Sequence, residues 1–251
     1  MALSKAKIKL IRSLEQKKFR KEHQLFIAEG PKIIEEFIGY FECKLIVGTE
    51  EWFKANDKII AQEKIIVTPQ ELAKASLLKH PQQVIALFKQ PELNYNPNII
   101  SKQLCLALDG VQDPGNLGTI VRLADWFGIE HIFCSADTVD VYNPKTIQAT
   151  MGGLARVQIH YTDLKEIIEQ NPKSNIYGTF LEGDNIYDKE LSNEGLIIMG
   201  NEGKGISKEL ELLINQKLHI PTFPLDRTTA ESLNVAIATS IICSEFRRRH
   251  F

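Results

Sequence analysis

Three stretches of this chain combine residue types and spacings that could do chemistry. The first is DGVQDPGNLGT (109–119). Pro114–Gly115 is a turn dipeptide, and Asn116 is placed to cap a helix over 117–127 by accepting from a free backbone N–H. Such a helix start favours an anion. Arg122 lies about one and a half turns further on, from where its long side chain can return toward that end. The second stretch is GNEGKGIS (200–207). Gly200, Gly203 and Gly205 let the backbone bend sharply and approach a ligand, and Glu202 sits among them. The spacing is neither GxxxxGK[ST] nor GxGxxG, so no phosphate loop or dinucleotide fingerprint is read here. The third is IPTFPLDRTTAESLNV (220–235). Its two prolines prevent regular structure around 221–224 and leave Ser232 and Asn234 at the start of an apolar helix, where either type caps well.

Each stretch also reads as plain structure: a tight strand-to-helix turn with a surface arginine, a glycine turn with Ser207 capping the next helix, and an N-cap. No Ser-His-Asp set assembles. The six histidines (23, 80, 131, 160, 219 and 250) do not pair at metal-ligand spacing, so no metal is expected. His131, His160 and His219 read as satisfied core or sheet-edge residues. Cys43, Cys105, Cys134 and Cys243 form no CxxC pair and read as buried thiols in a reducing compartment.

Loops of this kind need a frame. From residue 104 onward, apolar runs alternate with helical patterns: strands at 104–109, 131–134, 157–161, 176–181, 196–200 and 217–221, and helices at 117–127, from 143 to about 151, and from about 231 to 249. Runs such as LCLALD are apolar throughout, as in strands buried on both faces. The alternation predicts a parallel sheet covered by helices. Ligands bind such sheets beyond the carboxyl ends of the strands, so the loops after Asp109, Phe180, Met199 and Ile220 are where chemistry is expected. The preceding part alternates too, with a helix capped by Ser4, strands at 25–29, 44–48, 64–68 and 84–88, and helices opened by Pro31 and Pro69. QPELNYNPNIIS (90–101) has a linker composition. The expected division is therefore 1–90, a linker at 91–101, and 102–251.

The 251 residues carry 30 Lys+Arg against 32 Asp+Glu, a formal net charge of −2. This excludes a uniformly basic nucleic-acid coat but not a local basic patch. Residues 5–21 hold Lys5, Lys7, Lys9, Arg12, Lys17, Lys18, Arg20 and Lys21 against Glu15 alone, and the chain closes on Arg247, Arg248, Arg249 and His250. These groups read either as phosphate contacts or as solvated helix faces. No apolar stretch approaches the length of a membrane helix, and the first residues lack a signal-peptide core. A cytoplasmic protein is expected.

Together, LALDGVQDPGNLGTIVRLADWFGI (106–129), IIMGNEGKGIS (197–207) and IPTFPLDRTTAESLNVAIA (220–238) resemble the three signature motifs of the SpoU (TrmH-like) RNA 2′-O-ribose methyltransferases. FIAEGPKIIEE (26–36) and HPQQVIALF (80–88) resemble the L30e-like substrate-binding domain that precedes the catalytic domain in many relatives. The resemblance implies an α/β fold whose parallel sheet contains a deep C-terminal trefoil knot. It also implies a homodimer, S-adenosylmethionine as methyl donor, and RNA as substrate, ribosomal rather than transfer RNA. Carried over residue by residue, it makes Asn116, Arg122, Glu202, Ser232 and Asn234 catalytic-centre positions. Gly200, Ile220, Leu233, Thr179 and Leu181 become donor contacts. The third motif is longer here than the IPM-x-G form common among relatives, and it lacks that glycine. Two other readings compete: a non-catalytic RNA-binding or ribosome-assembly protein on the same fold, and a dinucleotide enzyme with Asp137 as its ribose-binding acid.

Overall fold

The computed structural model describes residues 3–224 and 230–249. In chain order the elements are α1 (Lys5–Ser13), α2 (Lys17–His23), β1 (Leu25–Glu29), α3 (Pro31–Phe37), β2 (Cys43–Thr49), α4 (Glu50–Ala55), β3 (Lys64–Val67), α5 (Pro69–Ala75) and β4 (Val84–Lys89). There follow β5 (Leu104–Leu108), α6 (Pro114–Trp126), β6 (His131–Cys134), α7 (Pro144–Thr150), β7 (Gln158–Tyr161), α8 (Leu164–Glu169), β8 (Ile176–Asn185), β9 (Gly195–Met199), α9 (Lys208–Glu211), β10 (Gln216–His219) and α10 (Val235–Arg248). They form two compact units, one of Met1–Glu92 with Asp140–Ala155 and one of Leu93–Val139 with Arg156–Phe251.

The first unit is built on a four-stranded sheet of order β1-β4-β2-β3. Its helices start where local chemistry dictates. Ser4 Oγ accepts from Lys7 N–H at 3.3 Å. Thr68 and Glu71 form a reciprocal capping box, with Pro69 in the first turn. One cluster packs Ile11, Leu14, Ile27, Leu45, Leu72 and Leu87. Phe26 meets Phe37, Phe41 and Phe88, and it stacks on Tyr142 with ring centroids 5.0 Å apart. Arg20 is 2% exposed. Its guanidinium donates to Leu14 O at 2.8 Å, Glu15 O at 2.7 Å and Asp140 Oδ2 at 2.7 Å. Gln148 donates to Glu29 O at 2.8 Å. Residues 140–155, which the sequence reading keeps with 102–251, are thus an integral layer of the first unit. The basic run at 5–21 divides as well: Arg20 is spent inside, Arg12 donates to Ser76 O at 3.0 Å, and Lys7 pairs with Glu63.

The second unit carries a six-stranded, wholly parallel sheet of order β10-β8-β9-β5-β6-β7. Every residue of β5, β6 and β9 is buried, as their continuous apolar runs require. Cys105, Ala107, Phe133, Ile198, Ile167 and Ile176 share one core. The stretch read as a linker contributes to it: Ile100 is fully buried, and Tyr95 packs edge-on against Phe133 at 5.2 Å.

Four details differ from the sequence reading. α6 begins at Pro114, three residues earlier than expected, and its N-cap is Asp113 rather than Asn116, because proline suits the first helical position. α10 begins at Val235, with the residues before it outside the helix. α4 adds a helix where the sequence reading has none. β8 runs on to Asn185, but its pairing with β10 jumps from Gly178↔Lys217 to Asp184↔Leu218, so residues 179–183 leave the ladder. The expected 220–235 loop is described only in part, since residues 225–229 lie outside the described residues, as does His250.

Candidate active site

Parallel strands direct all their carboxyl ends to one edge, and the order β10-β8-β9-β5 puts the first two motifs on adjacent strands, with the third one strand further on, past β8. The first two loops are tied together there. Asp109, just past β5, accepts from Ser207 N–H at 2.7 Å. Asn201, two residues past β9, donates through Nδ2 to Gly110 O at 2.7 Å. Its Oδ1 accepts from Gly203 N–H at 2.9 Å and Lys204 N–H at 3.0 Å, an Asx turn that shapes the glycine-rich loop. Gly200 is obligatory: a Cβ there would lie 2.3 Å from Gly205 C and 2.4 Å from Ile206 N. On the far side of Gly110, its N–H donates to Ser135 Oγ at 2.9 Å, and Ser135 donates in turn to Asp137 at 2.6 Å. Asp137 thus helps to shape this turn; the dinucleotide reading lacks the GxGxxG fingerprint that should follow β5.

With Asp113 capping α6 by accepting from Asn116 N–H at 2.8 Å, the side chain of Asn116 is released for another use. It donates through Nδ2 to Glu202 Oε1 at 2.7 Å and accepts from Asn234 Nδ2 at 3.0 Å. The direction of this row is fixed from both ends. Asn234 Oδ1 caps α10, accepting from Ala236 N–H at 3.0 Å and Ile237 N–H at 3.3 Å, so its amide nitrogen must face Asn116. Glu202 meets Asn116 with a carboxylate oxygen as acceptor. Capping and site-building are thus one function of Asn234, not alternatives. The row joins one residue from each of the three motifs.

Arg122 and Ser232 stand apart from the row. Both are exposed, and neither makes a hydrogen bond or ion pair among the described residues. Arg122 is six residues beyond Asn116, a rise of about 9 Å along α6. Its guanidinium offers a five-donor fork.

The residues expected to hold the donor sit along the neighbouring strand ends. Gly200 follows β9 and Ile220 follows β10, both half-buried. Thr179 opens the excursion of β8, its Oγ1 donating to Ile198 O at 3.5 Å. Leu181 is 68% exposed and Leu233 51% exposed. The half-buried backbone of Gly200 and the aliphatic Ile220, directly after β9 and β10, fit the chemistry of a neutral adenosyl base. No cluster of three or more potential metal ligands exists among the described residues. Among the histidines, His219 ends β10 directly before Ile220, its Nδ1 3.4 Å from Phe180 O, whereas His131 Nδ1 and His160 Nε2 lie 2.9 Å apart in the core, on β6 and β7. Burial, reinforced by His131, pushes His160 down to about 4.

This arrangement agrees with the comparisons. A family model described as the SpoU rRNA methylase family matches residues 103–244, the stretch that contains all three loops. The chain belongs to the SpoU rRNA methylase family. Residues 5–86 match an MRM3-like substrate-binding domain. The 23S rRNA (guanosine(2553)-2′-O)-methyltransferase RlmP of Bacillus subtilis is 28% identical over 245 residues, 96% of each chain. A TrmH-family structure from Porphyromonas gingivalis superposes with a TM-score of 0.90 at 39% identity, covering 99% of this chain and 100% of that one. An AdoMet-bound rRNA methyltransferase from Sinorhizobium meliloti gives a TM-score of 0.83 at 30% identity, over 100% and 97% of the two chains.

Three residues that tie these loops together were not singled out from sequence: Asp109, Asp113 and Asn201. Asp113 directly before a proline is a helix-start signal. Asn201 two residues before Gly203 is an Asx-turn signal. Asp109 bonds a residue 98 positions away, and no local pattern announces that.

Proposed function

We propose that this chain transfers a methyl group from S-adenosylmethionine to a ribose 2′-hydroxyl of ribosomal RNA. The observation that carries the reading is the row Glu202–Asn116–Asn234, one residue per motif, beyond the carboxyl ends of β5 and β9. The assignment of ribosomal RNA is supported by the relatives that match the whole chain.

The donor supplies an electrophilic methyl on a sulfonium centre. Gly200, Ile220, Thr179, Leu181 and Leu233 would hold it. What remains for the chain is to fix a ribose and stabilise the oxygen as its proton passes to an adjacent phosphate oxygen or water, while the new O–CH3 bond replaces the donor's S–CH3 bond and leaves a neutral thioether. Arg122 is protonated at all working pH values, so it serves as a donor and not as a base. Its fork suits an adjacent phosphate and the developing alkoxide. Ser232 and Asn234 orient the ribose, and the row keeps Asn234 in one rotamer. Fixed orientation of this kind supplies up to roughly 7–11 kcal/mol in favourable intramolecular cases. A 2′-hydroxyl acceptor restricts the substrate to RNA.

The first unit docks the RNA and the second performs transfer. The same reading carries a homodimer, a trefoil knot in the parallel sheet, and a cytoplasmic site of action. No helix among the described residues is long and apolar enough to cross a membrane. The deciding experiment maps 2′-O-methylation across total RNA with and without the gene. Loss of one ribosomal site is expected. An unchanged ribosomal map, or a lost site in transfer RNA, would overturn the assignment. Arg122→Lys keeps the charge and loses the fork; undiminished turnover would refute the geometric role of Arg122.

A further inference from the structure

The arginine triplet at the end of the chain looks, as sequence, like a basic tail. Two of its members meet fixed acceptors inside the fold, and we propose that Arg247 and Arg249 are positioning residues that set α10 against α6 and β8, so that Asn234 meets Asn116. This rests on the methyl-transfer reading of the row.

The acceptors come first. Arg247 donates through Nε to Phe127 O at 2.7 Å, through Nη2 to Gly128 O at 3.0 Å and through Nη1 to Asn193 Oδ1 at 3.4 Å. Phe127 is the C-cap of α6. Arg249 donates to Ile186 O at 3.0 Å, Tyr187 O at 2.8 Å and Lys189 O, all just past β8. It also pairs with Glu245 at 2.9 Å. Glu245 is an acid in the last turns of a helix, where the dipole disfavours it. Its side chain is nonetheless 6% exposed, and both Arg248 and Arg249 hold its carboxyl below the usual range. Backbone carbonyls offer acceptors at fixed positions, and a planar fork reads two of them at once. A solvated tail would show none of this.

The far ends of the same helices carry the site. α6 and α10 are 13 and 14 residues long and pack on each other. Their N-terminal ends meet through Asn234 and Asn116, and their C-terminal ends meet through Arg247. Two fastenings about 18–20 Å apart along the helices fix their axial register, which one alone would leave free to slide. Arg249 extends the lock to the segment after β8, the strand that bears Thr179 and Leu181.

The test compares Arg247→Ala, Arg247→Lys, Arg249→Lys and Arg248→Ala, with 23S ribosomal RNA transcribed in vitro as substrate. The Arg248 side chain is largely exposed and, among the described residues, bonds only to Glu245, so it serves as the control. Expected are a fall in kcat of tenfold or more for the Arg247 and Arg249 variants, with KM for RNA and the salt slope of binding within twofold of the parent. Arg247→Lys should resemble Arg247→Ala, because the fork and not the charge is used. Arg248→Ala should turn over normally. Normal kcat in Arg247→Lys, together with weaker RNA binding and a salt slope reduced by about one in Arg247→Ala, would mean a phosphate contact and overturn the proposal. Normal kcat in all variants would equally overturn it. If Arg247→Ala does not fold, Arg247→Gln makes the same comparison. The side-chain amide resonances of Asn234 and Asn116 give a second readout. They should shift in Arg247→Lys and stay unmoved in Arg248→Ala, whether or not the parent methylates this RNA, so failure of the methyl-transfer reading is seen separately.

Discussion

Asn234→Asp separates the two uses of Asn234. The carboxylate has the same size and still caps α10, accepting from Ala236 and Ile237 N–H as the amide oxygen does. It cannot donate to Asn116 Oδ1, which in the parent lies 3.0 Å from an amide nitrogen. Asn116 must then either turn its own amide toward the new carboxylate and present an oxygen to Glu202, or keep Glu202 and face an oxygen. One of two bonds is lost either way. The net loss of a hydrogen bond costs about 0.5–1.5 kcal/mol, while a negative charge at the start of α10 returns about 0.3–1 kcal/mol. Stability should therefore stay within about 1 kcal/mol, a shift of roughly 2–4 °C for a chain of this size. Turnover should fall by on the order of 10²-fold, the scale expected when a positioning group is displaced by about 1 Å. Asn234→Ala loses cap and bond together, about 1–3.5 kcal/mol. Thermal melts and single-turnover methyl transfer on both variants measure the two quantities independently. As pH falls through the carboxylate range, the introduced acid regains a proton to donate, and part of the lost rate should return. Full activity in Asn234→Asp at about pH 7.5, well above the ordinary carboxylate range, would refute the row as an orienting device.

Other outcomes follow from the same structure. His160 is neutral in the folded protein down to about 4 but titrates near 6.5 when unfolded. The unfolded state therefore binds more protons between those values, and about 3 kcal/mol of stability present above pH 6.5 should be lost as pH falls to 4. His160→Phe should flatten that slope in denaturant titrations; an unchanged slope would assign it elsewhere. Gly200→Ala drives a Cβ into the backbone of Gly205 and Ile206 and should abolish S-adenosylmethionine binding in calorimetry, whereas Gly203→Ala, with only Asn201 Oδ1 at 3.6 Å, should retain it. Asp140→Ala leaves Arg20 buried without its counter-charge and should cost about 3–5 kcal/mol, read as a lowered denaturant midpoint.

Much of the fold was legible because burial and period agree. Strands such as LCLAL and HIFC are apolar throughout and buried at every residue, so sequence and structure give nearly the same limits. Several helix starts were legible, with α6 displaced by the choice between two nearby cap candidates, Asp113 and Asn116, whereas α10 starts four residues later than expected and α4 went unread. Asn116, Glu202 and Asn234 could each be picked out from motif resemblance, but not their bonding to one another. That Asn116 bridges residues 86 and 118 positions away is a property of strand order. Composition likewise could not say that Arg20 is buried and Lys17 exposed, since both are basic residues on one short helix. Only the tertiary neighbours decide which carries its charge inward.

The placement of Asp140–Ala155 has a consequence for any attempt to take the protein apart. The polypeptide passes between its two units three times, at 92–93, 139–140 and 155–156. Severing it near residue 92 does not release an intact first unit. The fragment would lose the ring that stacks on Phe26, the donor to Glu29 O and the carboxylate that neutralises Arg20. A protease acting near residue 92 would therefore yield a nicked protein whose pieces remain associated, and a gene ending there would encode a chain with a cation in its core and no anion to meet it. The first unit is inherited only with the strap that the second unit's sequence supplies.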